Sequence, residues 1–193
     1  MLRQKLIAFI LLMSANLFAV ENHSREPLFV IERSTNANVV HYDAKITEDG
    51  GLDPRQPVVA YWVMAAEDGR RQELSALEKM KAYGFTIERG ETAGSYRLAL
   101  VAQKHRDIYV HRQEDAIRAE TLIAGHRAYL SKIYVSTHNT LLLPTADYVE
   151  LYGTDITTGD NLYEKLLPGS RRGNAFAVRR AFELCQSGRP RRA

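Results

Sequence analysis

The chain holds a single cysteine, Cys185. One thiol closes no intramolecular disulfide, so the fold rests on its buried core rather than on a covalent framework. Cys185 reads as a small packed apolar residue, with an intermolecular bridge as its other use. No Gly-x-Ser-x-Gly turn presents a nucleophilic serine. No glycine loop followed by lysine is built to cradle phosphate; the segment from Gly153 to Gly159 has the spacing of a turn. The six histidines (His23, His41, His105, His111, His126, His138) contain no His-x-x-x-His pair, so no zinc motif is announced. There is no internal repeat. The only long apolar run, Leu6–Met13, is too short for a bilayer core of about 30 Å, which needs roughly 20 apolar residues.

What is present describes an ordinary globular chain. It has 193 residues, 45% of them hydrophobic and 25% charged. That suits one domain with a sizeable core and excludes disordered and fibrous classes. Arg3 and Lys5 precede the apolar run, and Ala15 and Ala19 follow it. This is the layout of a secretory signal peptide over residues 1–19, which predicts a periplasmic or secreted protein. An uncleaved anchor is the other reading of the same segment. No cysteine lies near the cut, which argues against a lipoprotein. The predicted division is 1–19 signal, 20–169 a single β-rich domain, and 170–193 a basic tail.

The net charge of +3 comes from the two ends. Seven arginines and one acid, Glu183, lie between Ser170 and Ala193, and the body between signal and tail is mildly acidic. No basic stripe with interleaved aromatics crosses the body, so nucleic acid is not an expected partner. In the tail, Val178, Ala181, Phe182 and Cys185 share one face of a short amphipathic helix. That helix caps the domain or makes weak contact with an anionic membrane surface, and a frayed, disordered tail is the third reading.

Alternation dominates the body. Strands are predicted at Leu28–Arg33, Val39–Lys45, Val58–Met64, Phe85–Arg89, Tyr96–Val101, Ile108–Arg112, Ala116–Ala124, Arg127–Val135 and Ala146–Tyr152; of these, Val58–Met64 is a continuous apolar and aromatic run and reads as a strand buried on both faces. Gly125-His126 reads as a tight hairpin turn. One body helix is predicted over Gln72–Tyr83, with Leu74, Leu77 and Met80 on its apolar face and Gly84 as its stop. Thr154 to Gly169 reads as polar and turn-rich. The fold class is mainly β with a minor α component: an antiparallel barrel or sandwich of about nine strands.

Tyrosine is over-represented, with 10 Tyr against 6 Phe and 1 Trp. Tyrosine is a good strand former, and a β-structure lined by it also suits an amphipathic ligand. Tyr42, Tyr61, Trp62, Tyr83 and Tyr134 are the expected lining of a cavity for a small amphipathic or lipid-like molecule. No catalytic residue, metal ligand or cofactor is assigned. Two alternatives stand beside this reading. One is an envelope protein-interaction or structural module. The other is a hydrolase, which requires at least two of His41, Asp43, His105, Asp107 and His111 to converge within hydrogen-bond reach in one cleft. Glu67, Asp68, Glu73 and Glu78 gather near the helix start, where negative charge is favourable in itself. Asp155, Asp160 and Asn161 lack the ligand alternation of a calcium loop and read as a polar turn.

Several stretches taken in order carry a resemblance: Ile31-Glu32-Arg33-Ser34; Asn36 to Tyr42; Pro57 to Met64 followed by Glu67-Asp68-Gly69; Lys81-Ala82-Tyr83-Gly84; and Tyr152-Gly153-Thr154-Asp155 with Thr158-Gly159 and Glu164-Lys165. Together, over about Leu28 to Pro168, the chain resembles an exported bacterial family known as a domain of unknown function, family 4833. The resemblance implies export and a single domain, and it supplies no activity and no catalytic residue.

Overall fold

The computed structural model describes residues 24–139 and 144–167. The signal and tail assignments, the Cys185 helix among them, lie outside these residues. Eleven strands form one sheet. In chain order they are β1 (Ser24–Arg33), β2 (Asn36–Ile46), β3 (Val58–Met64), β4 (Arg70–Glu73), β5 (Phe85–Arg89), β6 (Tyr96–Leu100), β7 (Asp107–Gln113), β8 (Ala116–Ile123), β9 (His126–Asn139), β10 (Pro144–Asp155) and β11 (Asn161–Leu166). Nine of them run in the order β4-β3-β2-β1-β9-β8-β7-β6-β5 and curl into a half-barrel, while β10 and β11 extend from the other edge of β9. The mainly β fold is the one the sequence predicts.

Strand β9 is what makes the curl. One of its edges is shared: its start pairs with β8 through Tyr129, and its Lys132–Val135 stretch pairs with β1. The β1–β9 pairing is parallel, in a sheet predicted to be antiparallel; the other pairings are antiparallel. The sheet therefore divides at β9 into two arms, β1 to β4 and β8 to β5, which fold over one core. Alternation supplies that core. Val40, Tyr42 and Ala44 of β2, Leu98 of β6, Val110 of β7, Ile123 of β8 and Leu151 of β10 expose no surface.

The helical segment departs from expectation. Of the residues read as helix, Gln72 and Glu73 end an exposed edge strand, β4, and a short helix α1 (Ala76–Glu78) follows that continues as a wide π-turn over Lys79–Tyr83. Ser75 starts it with a capping box: its side chain accepts from the Glu78 amide, and the Glu78 carboxylate accepts from the Ser75 amide. Leu74 is buried, but Leu77 and Met80 are 62% and 59% exposed. The predicted apolar face thus meets the core only at its first member. Gly84 is extended, with φ −70, so it is no left-handed stop. Its role is steric, because a Cβ there would lie 1.9 Å from the Lys79 carbonyl oxygen.

The β8–β9 turn lies one residue earlier than predicted. Ile123 pairs with His126, and the turn residues are Ala124 and Gly125, with φ 52 and 85. Positive φ at both positions is the type I′ pattern that matches strand twist. The segment read as turn-rich contains β11 after a tight turn. There Asp155 accepts from the amides of Thr157 and Thr158 at 2.7 and 3.0 Å.

Candidate functional site

The half-barrel does not close. Among the described residues β5 pairs with β6 alone, and β4 covers β3 only from Tyr61 onward. An open groove of about 590 Å³ lies between these two strand edges. Val58, Leu74 and Phe85 give it apolar walls, with Tyr83 and Gly84 from the turn after α1. Its charged lining is Arg25, Arg71, Lys79 and Glu73.

Tyr61 organises one wall. Its neighbours on β3 alternate, so Trp62 enters the core while Tyr61 lies on the opposite face above Asp43. The Tyr61 hydroxyl donates to Asp43 Oδ2 at 2.5 Å. The Arg71 guanidinium stands 4.7 Å from the Tyr61 ring centroid and that of Arg25 5.7 Å, and the His41 ring stacks at 5.7 Å. Burial, helped by the bond to Asp43, pushes the Tyr61 hydroxyl up to about 12. Burial likewise holds His41 below its ordinary value; the Asp43 carboxylate opposes this and Arg71 adds to it. Two cations therefore flank a neutral phenol at the groove rim.

Behind the groove, the lip formed by α1 and its turn is fastened from three sides. Trp62 donates from Nε1 to Glu78 Oε1 at 3.1 Å, and its ring meets Tyr83 edge-on at 5.1 Å. The Arg33 guanidinium lies 4.5 Å from the Trp62 ring. Tyr42 donates to the Tyr83 carbonyl at 2.6 Å. Burial opposes ionisation of Glu78, but the Ser75 amide and hydroxyl and the indole outweigh it and hold the carboxyl below its usual value.

The five residues predicted to line one cavity take three different places. Tyr61 and Tyr83 border the groove. Tyr42 and Trp62 belong to the packed core. Tyr134 lies across the sheet, on the outer face of β9, 6.4 Å from Tyr148. That face carries a second polar cluster: Glu150 accepts from the hydroxyls of Tyr152 and Tyr163 at 2.8 and 2.9 Å, and Lys165 stands over the Tyr148 ring. Arg25, Arg71, Lys79, Leu74 and Phe85 escape sequence reasoning, because only the approach of β3 and β5 makes them neighbours.

The hydrolase candidates do not gather. His41 and Asp43 share the outer face of β2, but Asp43 is engaged by Tyr61. Asp107 and His111 lie on β7, where they meet Arg97 and Glu120. Near α1, Glu67 is tied to Arg70 and Glu78 to its cap. Among the described residues no three His, Cys, Asp or Glu side chains are grouped as metal ligands, and no described helix is long and apolar enough to cross a membrane.

Against known proteins, residues 29–165 match a family described as Domain of unknown function (DUF4833). No curated protein and no solved structure matches the chain.

Proposed function

The chain belongs to this DUF4833 family, and on the geometry of its own groove we propose that it is an exported binding protein for a small amphipathic anion. The observation that carries the reading is the pairing of apolar walls with Arg25 and Arg71, both against the Tyr61 ring. Val58, Leu74 and Phe85 suit a hydrocarbon portion, and the two guanidinium groups suit a carboxylate or similar head. Arginine presents a planar fork to such a head and stays charged at any physiological pH. With Val40, Tyr42, Leu98 and Val110 wholly buried in the core, the reading puts the ligand in the groove at the seam. With Tyr61 and Asp43 closed on each other, the groove offers a surface for holding rather than a base for reacting.

The test is binding of a fluorescent long-chain carboxylate to the mature protein, with native mass spectrometry of the same sample. Saturable one-to-one binding, weakened about tenfold in Arg71→Gln and again in Arg25→Gln, supports the reading. Absence of saturable binding, or equal affinity in all three proteins, overturns it. Export goes with this proposal: protein recovered from the periplasm should begin near Val20.

A protein-interaction module is the second reading, and the outer face of β9 to β11 favours it. Tyr134, Tyr148, Tyr152 and Tyr163 are half-buried there, and tyrosine is enriched at interfaces. Partner capture that depends on Tyr148 and Tyr163, with carboxylate binding absent, would favour this face over the groove.

A further inference from the structure

Leu77 and Met80 are spaced as part of an apolar helix face, yet both point to solvent. They are 62% and 59% exposed, among the few large apolar side chains so placed in the described residues. They sit three residues apart on the lip formed by α1 and its turn. Lys79 and Lys81 flank Met80, and both are exposed. Neither lysine makes an ion pair among the described residues, and neither does Arg71 on the adjoining strand.

The acidic residue best placed to neutralise this cluster faces the other way. Glu78 is turned inward, onto the Ser75 amide and hydroxyl and the Trp62 indole. The lip itself carries the exposed Lys79 and Lys81 against this one inward-turned carboxylate, so positive charge prevails on its outer side. The same contacts make the lip rigid. The capping box holds its start, Trp62 packs beneath it, and the Tyr42 hydroxyl holds the Tyr83 carbonyl at its end. Two apolar tips are therefore presented already ordered, beside two exposed lysines that make no ion pair among the described residues.

From this arrangement we infer that the lip docks on an anionic lipid bilayer, with Leu77 and Met80 entering the headgroup–acyl boundary and Lys79 and Lys81 meeting the lipid phosphates. Apolar side chains within a basic surround match the layered chemistry of that interface. The attraction of each lysine to an anionic surface acts within a Debye length and weakens with salt. Two side chains bury little area, so the contact is reversible. The lip also contributes Lys79 and Tyr83 to the groove, which places the groove opening beside the lipid.

The test is co-sedimentation of the full mature chain with vesicles of phosphatidylcholine, with and without phosphatidylglycerol. Wild-type protein should bind the anionic vesicles and lose affinity as salt rises. The Leu77→Asp, Met80→Asp double variant should lose that binding. Lys79→Gln with Lys81→Gln should weaken it by about fivefold for each lysine. All four side chains are exposed, and unchanged emission from Trp62, the only tryptophan, confirms the fold. Equal vesicle binding by wild type and the aspartate variant overturns the inference and assigns the affinity to the basic tail. No binding by wild type overturns it as well. The groove proposal is judged separately, because the aspartate variant keeps Arg25 and Arg71 and should bind the fluorescent carboxylate in solution as wild type does.

Discussion

Tyr42 donates its phenolic hydrogen to the main-chain carbonyl of Tyr83 at 2.6 Å, within the core. The bond joins the middle of β2 to the residue two before β5, so it fastens one arm of the curled sheet to the other. Burial, and the nearby Tyr83, raise the Tyr42 hydroxyl far above its ordinary value, so it is a permanent donor. Its ring stacks on Phe29 at 4.5 Å, which holds the hydroxyl in place.

Tyr42→Phe keeps the ring and deletes the donor. The Tyr83 carbonyl is then left buried without this partner, at a cost of about 1–3 kcal/mol. Urea unfolding should show a lower midpoint with an unchanged slope. An unchanged midpoint would mean that the bond between the arms contributes nothing.

Ala124 holds a left-handed conformation at the first position of a type I′ turn. A non-glycine residue there carries a penalty of about 1–2 kcal/mol, which asparagine relieves in part. Ala124→Asn should stabilise the protein by about 0.5–1 kcal/mol, read as a higher midpoint of thermal unfolding. A lower midpoint would show that the side chain collides with the Glu164 carboxylate, which accepts from the Ala124 amide at 3.0 Å.

Asp53 is buried beside Lys45 at 2.9 Å, and it also accepts from the Arg55 amide at 2.8 Å. Lys45 first, then the amides, hold its carboxyl down to about 2, whereas an unfolded chain has an aspartate near 3.9. A depressed carboxyl contributes stability above its unfolded value and loses it as pH falls towards the folded one. Asp53→Asn should therefore be less stable than wild type at neutral pH. The difference should shrink from about pH 5 downward and largely vanish near pH 2. A gap constant across this range would show that the carboxylate charge is immaterial.

Much of the sheet was legible because period-two alternation is a local property. Phe85–Arg89 is a strand over the range read from its alternation; Val58–Met64, read from its continuous apolar run, is a strand over its range too, but half-buried in part rather than buried on both faces. Strand β4 was not, because Arg70-Arg71-Gln72-Glu73 is exposed along its whole length and shows no alternation. Its strand character comes from pairing with β3 as a partial edge cover. β11 was hidden by its polar surroundings, for Glu164 is its buried member and is satisfied by Arg106 and the Ala124 amide. The helical spacing of Leu74, Leu77 and Met80 was real, but spacing cannot say whether a face finds a partner.

The sequence by itself determined the class of the fold, most strand positions and the family. Alternation, turn residues and the order of short motifs are all written along the chain. Only the tertiary structure decided where the sheet divides, that β1 runs parallel to β9, and that the half-barrel stays open between β3 and β5. Arg25, Tyr61, Arg71 and Phe85 become one site through that opening, although they are far apart in the chain. The curl depends on how a single long strand shares its edge between two others, and pairing between distant strands is a choice that no local pattern encodes.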